Sequence, residues 1–352
     1  MKRLFLLIVC EFRMSRTSIP IHLLAILQPT LLFLLMAIIL VHPTFDMNVI
    51  DSNIPESSRF ISAMDSVRSP IGEPYIKPIL VDEKTATTLR QVITIEKDQK
   101  KAIAHQRFAL IDANLVKNYR NRLTATLLHL WNEDLGSKSV TIREHPTVGR
   151  DLPYTAYFGL GLLPMAVMLA TILIGSTFVA QEFEDKTVLE LKMAFAPIFL
   201  ILCARLVRLL VFGCIAGFVL VAAIGLSTNV WPLSFLNIGA IFLIVGIIGG
   251  SLGTIIGLMA KRLLPCFISS LVVTITCWVF GSSFGPAESF GGNYELISKF
   301  VPNTYAVKML FPNYFGLNLG SAVSSAVILA LYCALFLWLS HFVYKQQIMK
   351  ER

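Results

Sequence analysis

Six long apolar segments constrain what this chain can fold into more than any other feature. Each contains roughly 20 residues or more, the length that a helix rising about 1.5 Å per residue needs to cross a hydrocarbon core of about 30 Å. The composition agrees, because 55% of the residues are hydrophobic and only 15% are charged. We therefore predict an α-helical polytopic membrane protein. Its six predicted transmembrane helices comprise residues 21–41, 156–180, 198–226, 235–260, 264–284 and 320–344.

The distribution of Lys and Arg predicts how these helices are oriented, because cytoplasmic segments carry the excess. The segments that we assign to the cytoplasm contain thirteen Lys or Arg and six Asp or Glu, whereas residues 45–151 contain fifteen and fourteen. Both termini are therefore predicted to be cytoplasmic, and the basic excess to contact anionic membrane lipid. No basic patch is interleaved with aromatic residues, so we expect no nucleic-acid binding. The cytoplasmic segments are residues 1–18, 181–208, 261–262 and 345–352.

The first residues imitate a secretory signal, with a basic start and a short apolar run. Glu11, Arg13 and Arg16 follow directly without a small-residue cleavage site, which argues against cleavage. We predict instead a cytoplasmic elbow helix over residues 1–19, lying on the membrane surface ahead of a first crossing at residues 20–42.

Residues 43–153 form the soluble-looking part of the sequence, and we predict that they fold as an extracytoplasmic α/β domain inserted between transmembrane helices 1 and 2. Short segments rich in Val, Ile and Phe alternate there with segments of helical periodicity. None of the six cysteines falls in this domain, so it cannot use an internal disulfide. It also has no Asn-x-Ser/Thr acceptor, which agrees with a bacterial inner membrane. The predicted strands are residues 47–51, 77–81, 92–96, 107–112 and 139–143, and the predicted helices are residues 57–67, 83–92 and 118–136.

Transmembrane helices 2–6 are predicted within residues 154–352. The fourth crossing contains Gly246, Gly249, Gly250, Gly253 and Gly257, a spacing that favours close helix packing within one subunit over a dimer contact. Residues 285–318 are too polar to span the membrane. They contain two amphipathic pieces, each ended by proline, which predict either an outer re-entrant pair of short helices or an ordinary exposed loop.

Residues 181–197, QEFEDKTVLELKMAFAP, are unusually polar for their surroundings. The acids come early and Lys192 comes late, as the dipole of a short helix favours, and Glu182 is four residues before Lys186. Phe183, Thr187 and Leu191 would share one face of that helix. Such a ridge fits either the groove of a soluble partner or the lipid surface, and the residues alone leave both open.

Several kinds of chemistry are missing from the sequence. There is no GxxxxGK[ST] loop, so any ATP must be hydrolysed on another polypeptide, and there is no His-Glu-x-x-His, Gly-x-Ser-x-Gly or Cys-x-x-Cys motif. We therefore predict no catalytic or metal-binding residues and no enzymatic activity. Arg205 and Arg208 enter a predicted crossing near its cytoplasmic end, where we expect their side chains to snorkel to the surface. The lack of other intramembrane charges disfavours ion-coupled transport.

The charged stretch resembles the cytoplasmic signature of type-2 permeases of ATP-binding-cassette (ABC) exporters. The matching residues are Glu182, Glu184, Thr187, Leu191 and Pro197, although Lys186 stands where that family often has glycine. The resemblance covers the whole chain, because the elbow helix, the first crossing, the outer domain, five further crossings and the turn PNTYAVKML follow in the same order.

This resemblance implies a permease that exports an amphipathic or hydrophobic substrate as a dimer with a second copy of itself or a paralogous permease. It implies a cytoplasmic ABC ATPase subunit that binds the ATP and Mg, with none bound by this chain. The implied ATPase-coupling residues are Glu182, Phe183, Glu184, Lys186, Thr187, Val188 and Leu191. Residues implied near the substrate pathway, on the second and fifth crossings, are Phe158, Leu162, Met165, Met168, Val279 and Phe280. The alternative is a non-transporting receptor or cell-surface assembly factor that binds a partner through its outer domain.

Overall fold

A computed structural model of the chain comprises two compact units, Met1–Ile38 with Leu152–Arg352, and Ile39–Asp151. The structure describes residues 2–40, 45–51, 55–68, 74–86, 91–98, 101–108, 113–134, 154–188, 197–283, 292–316 and 322–350. In chain order the elements are α1 (Lys2–Met14), a 3₁₀ turn (Ser15–Ser18), α2 (Ile19–Leu40), β1 (Phe45–Ile50), α3 (Pro55–Ser66), β2 (Ile76–Leu80), α4 (Glu83–Ala86), β3 (Gln91–Asp98), β4 (Lys101–Phe108), α5 (Ala113–Asp134), α6 (Tyr154–Glu184), α7 (Ile198–Thr228), α8 (Phe235–Ala260), α9 (Leu263–Val279), α10 (Gly292–Ser298), α11 (Pro302–Phe315) and α12 (Ala322–Lys350).

Five of the described helices are long and apolar enough to cross a membrane, which makes the chain a multi-pass membrane protein. The remaining predicted crossing, residues 264–284, is shorter than expected. Helix α9 has 17 residues, or roughly 26 Å at about 1.5 Å per residue, and stops at Val279 before a turn in which Ser282 has a left-handed φ of 58°. A sixth crossing therefore stays a prediction. The five spans are Ile19–Ile38, Thr155–Glu184, Ile198–Thr228, Phe235–Ala260 and Ala322–Gln347.

Helix α6 lies at the centre of the helical unit. Its most apolar 18-residue window is completely buried, because α7, α8 and α9 pack around it. The glycines of α8 make this possible: a Cβ atom on Gly249 would lie 2.2 Å from Thr171 Oγ1, and one on Gly257 would lie 2.6 Å from the carbonyl oxygen of Ser176. Both neighbours belong to α6. The predicted packing role of these glycines within one subunit is thus confirmed.

This packing predicts that Gly253→Ala destabilises the protein by about 1–3 kcal/mol, because the added methyl group would overpack the α6–α8 contact. Its Cβ atom would lie 2.5 Å from the carbonyl oxygen of Ile172, a backbone atom that cannot rotate away. The matched control is Gly239→Ala in the same helix, whose Cβ would meet Phe218 at an ordinary 3.6 Å. Thermal unfolding in detergent should show a lower midpoint for Gly253→Ala and no loss for the control. Equal midpoints for the two variants would contradict the packing argument.

The inserted unit contains a four-stranded sheet of order β2-β1-β3-β4. Strand β1 is parallel to both β2 and β3, and β3 and β4 form an antiparallel hairpin. One buried apolar cluster joins the sheet to α3, and Leu123 and Leu130 of α5 pack against it. Helices therefore cover the sheet on the side of this core. The cluster consists of Met47, Val49, Phe60, Met64, Ile76, Ile93 and Ile95.

Two local predictions for this unit were wrong. The predicted helix 83–92 is short, since α4 ends at Ala86 and Gln91 already begins β3, where Val92 and Ile93 are buried. The strand predicted at residues 107–112 overlaps β4 only at residues 107–108, because β4 already begins at Lys101 and pairs with β3 along its whole length. Residues 109–112 lie outside the described residues. The predicted strand 139–143 lies outside the described residues. The domain boundaries and the extracytoplasmic location stay predictions.

Two short helices occupy the described part of residues 285–318, namely α10 and α11. The prediction that a proline ends each of the two helical pieces was wrong, because Pro302 begins α11 and Pro312 lies inside it. Helix α11 buries Asn303, Thr304 and Leu310, and Phe311 packs on Tyr157 of α6 with ring centroids 5.2 Å apart. An exposed loop is therefore excluded for residues 302–315. Their location in the outer leaflet stays a prediction.

Candidate functional site

Four charged side chains are buried together where α1, the end of α6 and the first turns of α7 meet. We call Glu11, Glu182, Arg205 and Arg208 the charge cluster. Arg205 and Arg208 are completely inaccessible to solvent, and Glu11 and Glu182 are only 5% and 7% exposed. Because an isolated buried charge is very unfavourable, such groups persist only when they are paired.

Each member of the charge cluster pairs with at least one member of opposite charge. Arg205 Nη2 lies 2.5 Å from Glu182 Oε1, and Arg205 Nε lies 3.7 Å from Glu11 Oε1. Arg208 Nη1 lies 3.2 Å from Glu11 Oε2 and also donates to Ser15 Oγ at 3.3 Å. Two positive and two negative groups therefore balance one another, and Glu11 connects both arginines.

Aromatic rings complete the surroundings of the two guanidinium groups. The ring centroid of Phe178 lies 3.6 Å from Arg208 Cζ, and that of Tyr344 lies 5.6 Å from Arg205 Cζ. Such cation–π contacts are strongest where water is excluded. The charge cluster thus connects α1, α6, α7 and α12 through a few side chains.

Two sequence predictions are corrected here. Arg205 and Arg208 do not snorkel to the surface; they are buried because Glu11 and Glu182 neutralise them in place. Glu182 does not pair with Lys186, because its carboxylate points to Arg205 of α7. Two features of the sequence indicate the cluster in retrospect. Arg205 and Arg208 are three residues apart and so share a helix face. Glu11 is an acid in the elbow helix that no other sequence feature explained.

The 3₁₀ turn that precedes α2 is joined to the end of α6 beside the charge cluster. Ser18 Oγ donates to Gln181 Oε1 at 3.1 Å, and His22 Nδ1 lies 2.6 Å from the carbonyl oxygen of Ser18. The rings of Phe12 and His22 lie 6.2 Å and 4.5 Å from the ring of Phe212 on α7. The elbow helix therefore packs on the bundle through one face, while Phe5 on another face is 67% exposed.

The predicted coupling stretch, residues 181–197, is not one short helix. Residues 181–184 belong to α6, which ends at Glu184 because Lys186 adopts a left-handed φ of 58°. This is a conformation that glycine adopts without strain, which accounts for the residue that the resembled family often has at this position. The described part of the stretch ends at Val188, so Leu191 lies outside the described residues.

Several of the predicted ATPase-coupling residues make contacts with other residues of this chain. Glu184 Oε1 accepts a hydrogen bond from the backbone N–H of Leu263 at 2.9 Å, which caps the first turn of α9. Phe183 packs on a buried cluster with its ring 4.8 Å from Lys261 Nζ, and Val188 is 5% exposed. Thr187 Oγ1 donates to the carbonyl oxygen of Glu182. Glu184, Asp185 and Lys186 form an exposed turn, which we call the coupling turn.

The left-handed residue in the coupling turn yields a prediction: Lys186→Gly should stabilise the protein by about 1 kcal/mol, because a Cβ atom disfavours this backbone conformation. The matched control is Asp185→Gly. Asp185 is not among the residues with positive φ, so glycine there should be neutral or destabilising. Chemical denaturation in detergent would compare the two variants, and a destabilised Lys186→Gly would argue against the left-handed conformation.

The residues predicted near the substrate pathway are not brought together at an open surface. Phe158, Leu162, Met165 and Met168 of α6 are at most 4% exposed, so these four side chains do not face lipid. Val279 and Phe280, at the end of α9, are half-buried. The ring of Phe158 packs edge-on against Trp278 of α9, so at least one of these residues lies where α6 and α9 meet. A role in transport stays a prediction for all six.

No group of three or more His, Cys, Asp or Glu side chains that could hold a metal ion occurs among the described residues. A comparison with protein-family models matches residues 20–342 to one described as ABC-2 family transporter protein. A separate comparison with curated proteins gives no match. The matched range covers nearly the whole chain and confirms the family that residues 181–197 and the order of segments predicted.

Proposed function

Because the chain belongs to the ABC-2 family of transporter proteins, we propose that it is the membrane-spanning permease subunit of an ATP-driven exporter. Family membership makes it a transmembrane transport component that works with an ABC ATPase subunit. Beyond this, we propose outward transport of an amphipathic or hydrophobic substrate by a dimer of this chain or of this chain and a paralogue. ATP and Mg would bind to the partner ATPase.

One observation carries the proposal: the coupling turn directly follows a helix end that is fixed to its neighbours by buried charge. Glu182, two residues before the turn, is held by Arg205, and Glu11 connects Arg205 to Arg208 and α1. A force on the turn therefore acts on α1, α6 and α7 together. A helix end held only by apolar contacts would slide more easily, because such contacts are not directional.

The contacts of the coupling turn with α9 extend the same argument. Glu184 caps α9, and Lys261 lies over Phe183 just before α9 begins. Movement of the turn would thus also reach α9. We propose that closure of two ATPase subunits on ATP shifts the coupling turns and changes the relative populations of inward-closed and outward-open bundles. No contact among the described residues favours the alternative of a non-transporting receptor.

The test is reconstitution of the purified permease in vesicles with each candidate ABC ATPase from the same genome. We expect the ATPase to co-purify with the tagged permease, the permease to change its hydrolysis rate, and an amphipathic fluorescent dye to move only with ATP and Mg. An ATPase variant that binds but does not hydrolyse ATP is the control. Failure of every candidate ATPase to associate, with the permease folded, would contradict the proposal.

A further inference from the structure

Helix α5 of the inserted unit has two large apolar side chains that the unit leaves exposed. Leu127 is 52% exposed, and Trp131, one helical turn later, is 58% exposed. Both lie beside, but not on, the face of Leu123 and Leu130, which pack against the buried cluster of the sheet. Tryptophan is enriched at protein interfaces relative to the rest of the surface. The face around Leu127 is therefore a candidate interaction surface.

Charged side chains of opposite sign flank Leu127 at equal distances. Arg120 comes seven residues before Leu127, and Asp134 comes seven residues after it. Because seven residues make almost two helical turns, all three share one face of α5, with each charge about 10 Å from Leu127 along the helix axis. Arg120 and Asp134 are both exposed. We call Arg120, Thr124, Leu127, Trp131 and Asp134 the α5 face.

The acidic end of the α5 face keeps a negative charge despite an ion pair within the unit. Arg59 of α3 lies 2.6 Å from Asp134 Oδ1 and 3.6 Å from Glu133 Oε2, so one positive and two negative groups leave a balance of −1. All three side chains are 50% exposed or more and can contact a further charge. Leu128, about 100° around the helix from Leu127, lies outside the α5 face. The face thus has a positive end, an apolar middle and a negative end.

Such a face is complementary to itself. When two copies of a helix pack in opposite directions about a two-fold axis, each residue before the axis faces the residue that follows it by the same number. With the axis at Leu127, Arg120 of each copy lies opposite Asp134 of the other, and the two Leu127 side chains meet. Trp131 of each copy lies near the small Thr124 of the other, which leaves space for the indole ring. The pairing therefore contains two ion pairs around an apolar centre.

We propose that the α5 face binds the α5 face of a second copy of this chain, with the two helices antiparallel. An anionic membrane surface fits less well, because it would meet Asp134 and Glu133 as well as Arg120. The inference rests on the proposed function, in which the permease works as a dimer, and it selects a second copy over a paralogue. A paralogue would fit only with the same charges at the same spacing.

The small size of this contact is compatible with a role in the dimer. In the proposed dimer the membrane-spanning segments already hold the two copies together. The α5 contact is then formed within one assembly, at a high effective concentration, so it need not be strong enough to join two free proteins.

The test is oxidative cross-linking of the full-length permease in nanodiscs, with Leu127→Cys as the reporter. A cysteine at the two-fold axis lies close to its copy, and a disulfide requires Cα atoms within about 7 Å. The matched control is His129→Cys, an exposed position about 200° around the same helix. The six native cysteines stay in both variants, and the wild type gives their background. We expect Leu127→Cys to form covalent dimers at least about tenfold more than His129→Cys.

Charge reversal tests the antiparallel register. Arg120→Glu in the Leu127→Cys background places two acids opposite each other at both ends of the contact. Cross-linking should fall about threefold to tenfold, because two exposed ion pairs become like-charge pairs. Adding Asp134→Arg makes the facing charges opposite again and should restore cross-linking. The substituted side chains are all exposed, so the thermal midpoint should stay close to that of the wild type.

Three results would overturn the pairing: equal cross-linking of Leu127→Cys and His129→Cys, cross-linking that Arg120→Glu leaves unchanged, and a covalent product of Leu127→Cys with a different protein. The particle mass and the association with the ABC ATPase are measured on the same samples. A dimer that binds the ATPase but does not cross-link overturns the pairing and spares the exporter. Cross-linking without ATPase association overturns the exporter and spares the pairing.

Discussion

Replacing Arg205 with alanine is expected to lower the free energy of unfolding by about 3–5 kcal/mol, the typical effect of removing one partner from a buried ion pair. Arg205 is completely buried and contacts both acids of the charge cluster, so its loss leaves Glu182 buried without its cation. Since proteins are stable by only about 5–15 kcal/mol, much of the variant should fail to fold. Folded yield and thermal unfolding in detergent are the measurements.

The double variant Arg205→Met with Glu182→Met isolates the cause of this effect. Removing both charges leaves Glu11 with Arg208 at 3.2 Å, a pair that is still balanced. We therefore expect the double variant to be more stable than Arg205→Met and than Glu182→Met alone, a non-additivity that residues of one ion-pair network show. The exposed Arg13→Ala is the control for losing a positive charge, and it should be nearly neutral. Additive effects of the two cluster substitutions would show that the ion pair is not formed.

The membrane helices were predictable from sequence because one property, apolar length, decides them. The five long spans occur close to the predicted positions. Helix α9 departs from its prediction at the end where Gly281 and Ser282 turn the chain, and hydropathy does not register a left-handed residue. In the inserted unit, the pairing of β4 along β3 placed the strand earlier than its local composition indicated.

The candidate site was only partly predictable, because its contacts join residues far apart in sequence. The charged stretch 181–197 was recognised as unusual, but Glu182 was expected to pair within its own helix rather than with Arg205, 23 residues later. The partner of Arg208 is Glu11, almost 200 residues earlier, in a helix that composition assigns to the membrane surface.

Substitutions at the coupling turn should weaken ATPase association without destabilising the fold. This is the second prediction with a large expected effect. We predict that Asp185→Lys combined with Leu191→Asp lowers association of the permease with its ABC ATPase by more than about tenfold. The substitutions reverse a charge on the exposed turn and place a carboxylate on the predicted apolar ridge, and either change opposes docking into a complementary groove. Glu184 is deliberately left in place, because it caps α9, and so is Glu182, because it belongs to the charge cluster.

The control for this experiment applies the same two kinds of change to the inserted unit. Asp65 on α3 and Leu128 on α5 are both exposed, so Asp65→Lys with Leu128→Asp should leave ATPase association unchanged. Both double variants should insert into the membrane and keep the wild-type thermal midpoint, since neither alters a buried contact of the charge cluster. ATPase binding to the coupling-turn variant at wild-type strength would contradict a docking role for residues 181–197. Equal weakening by both double variants would assign the loss to general charge effects, because only a docking surface at the turn makes the two differ.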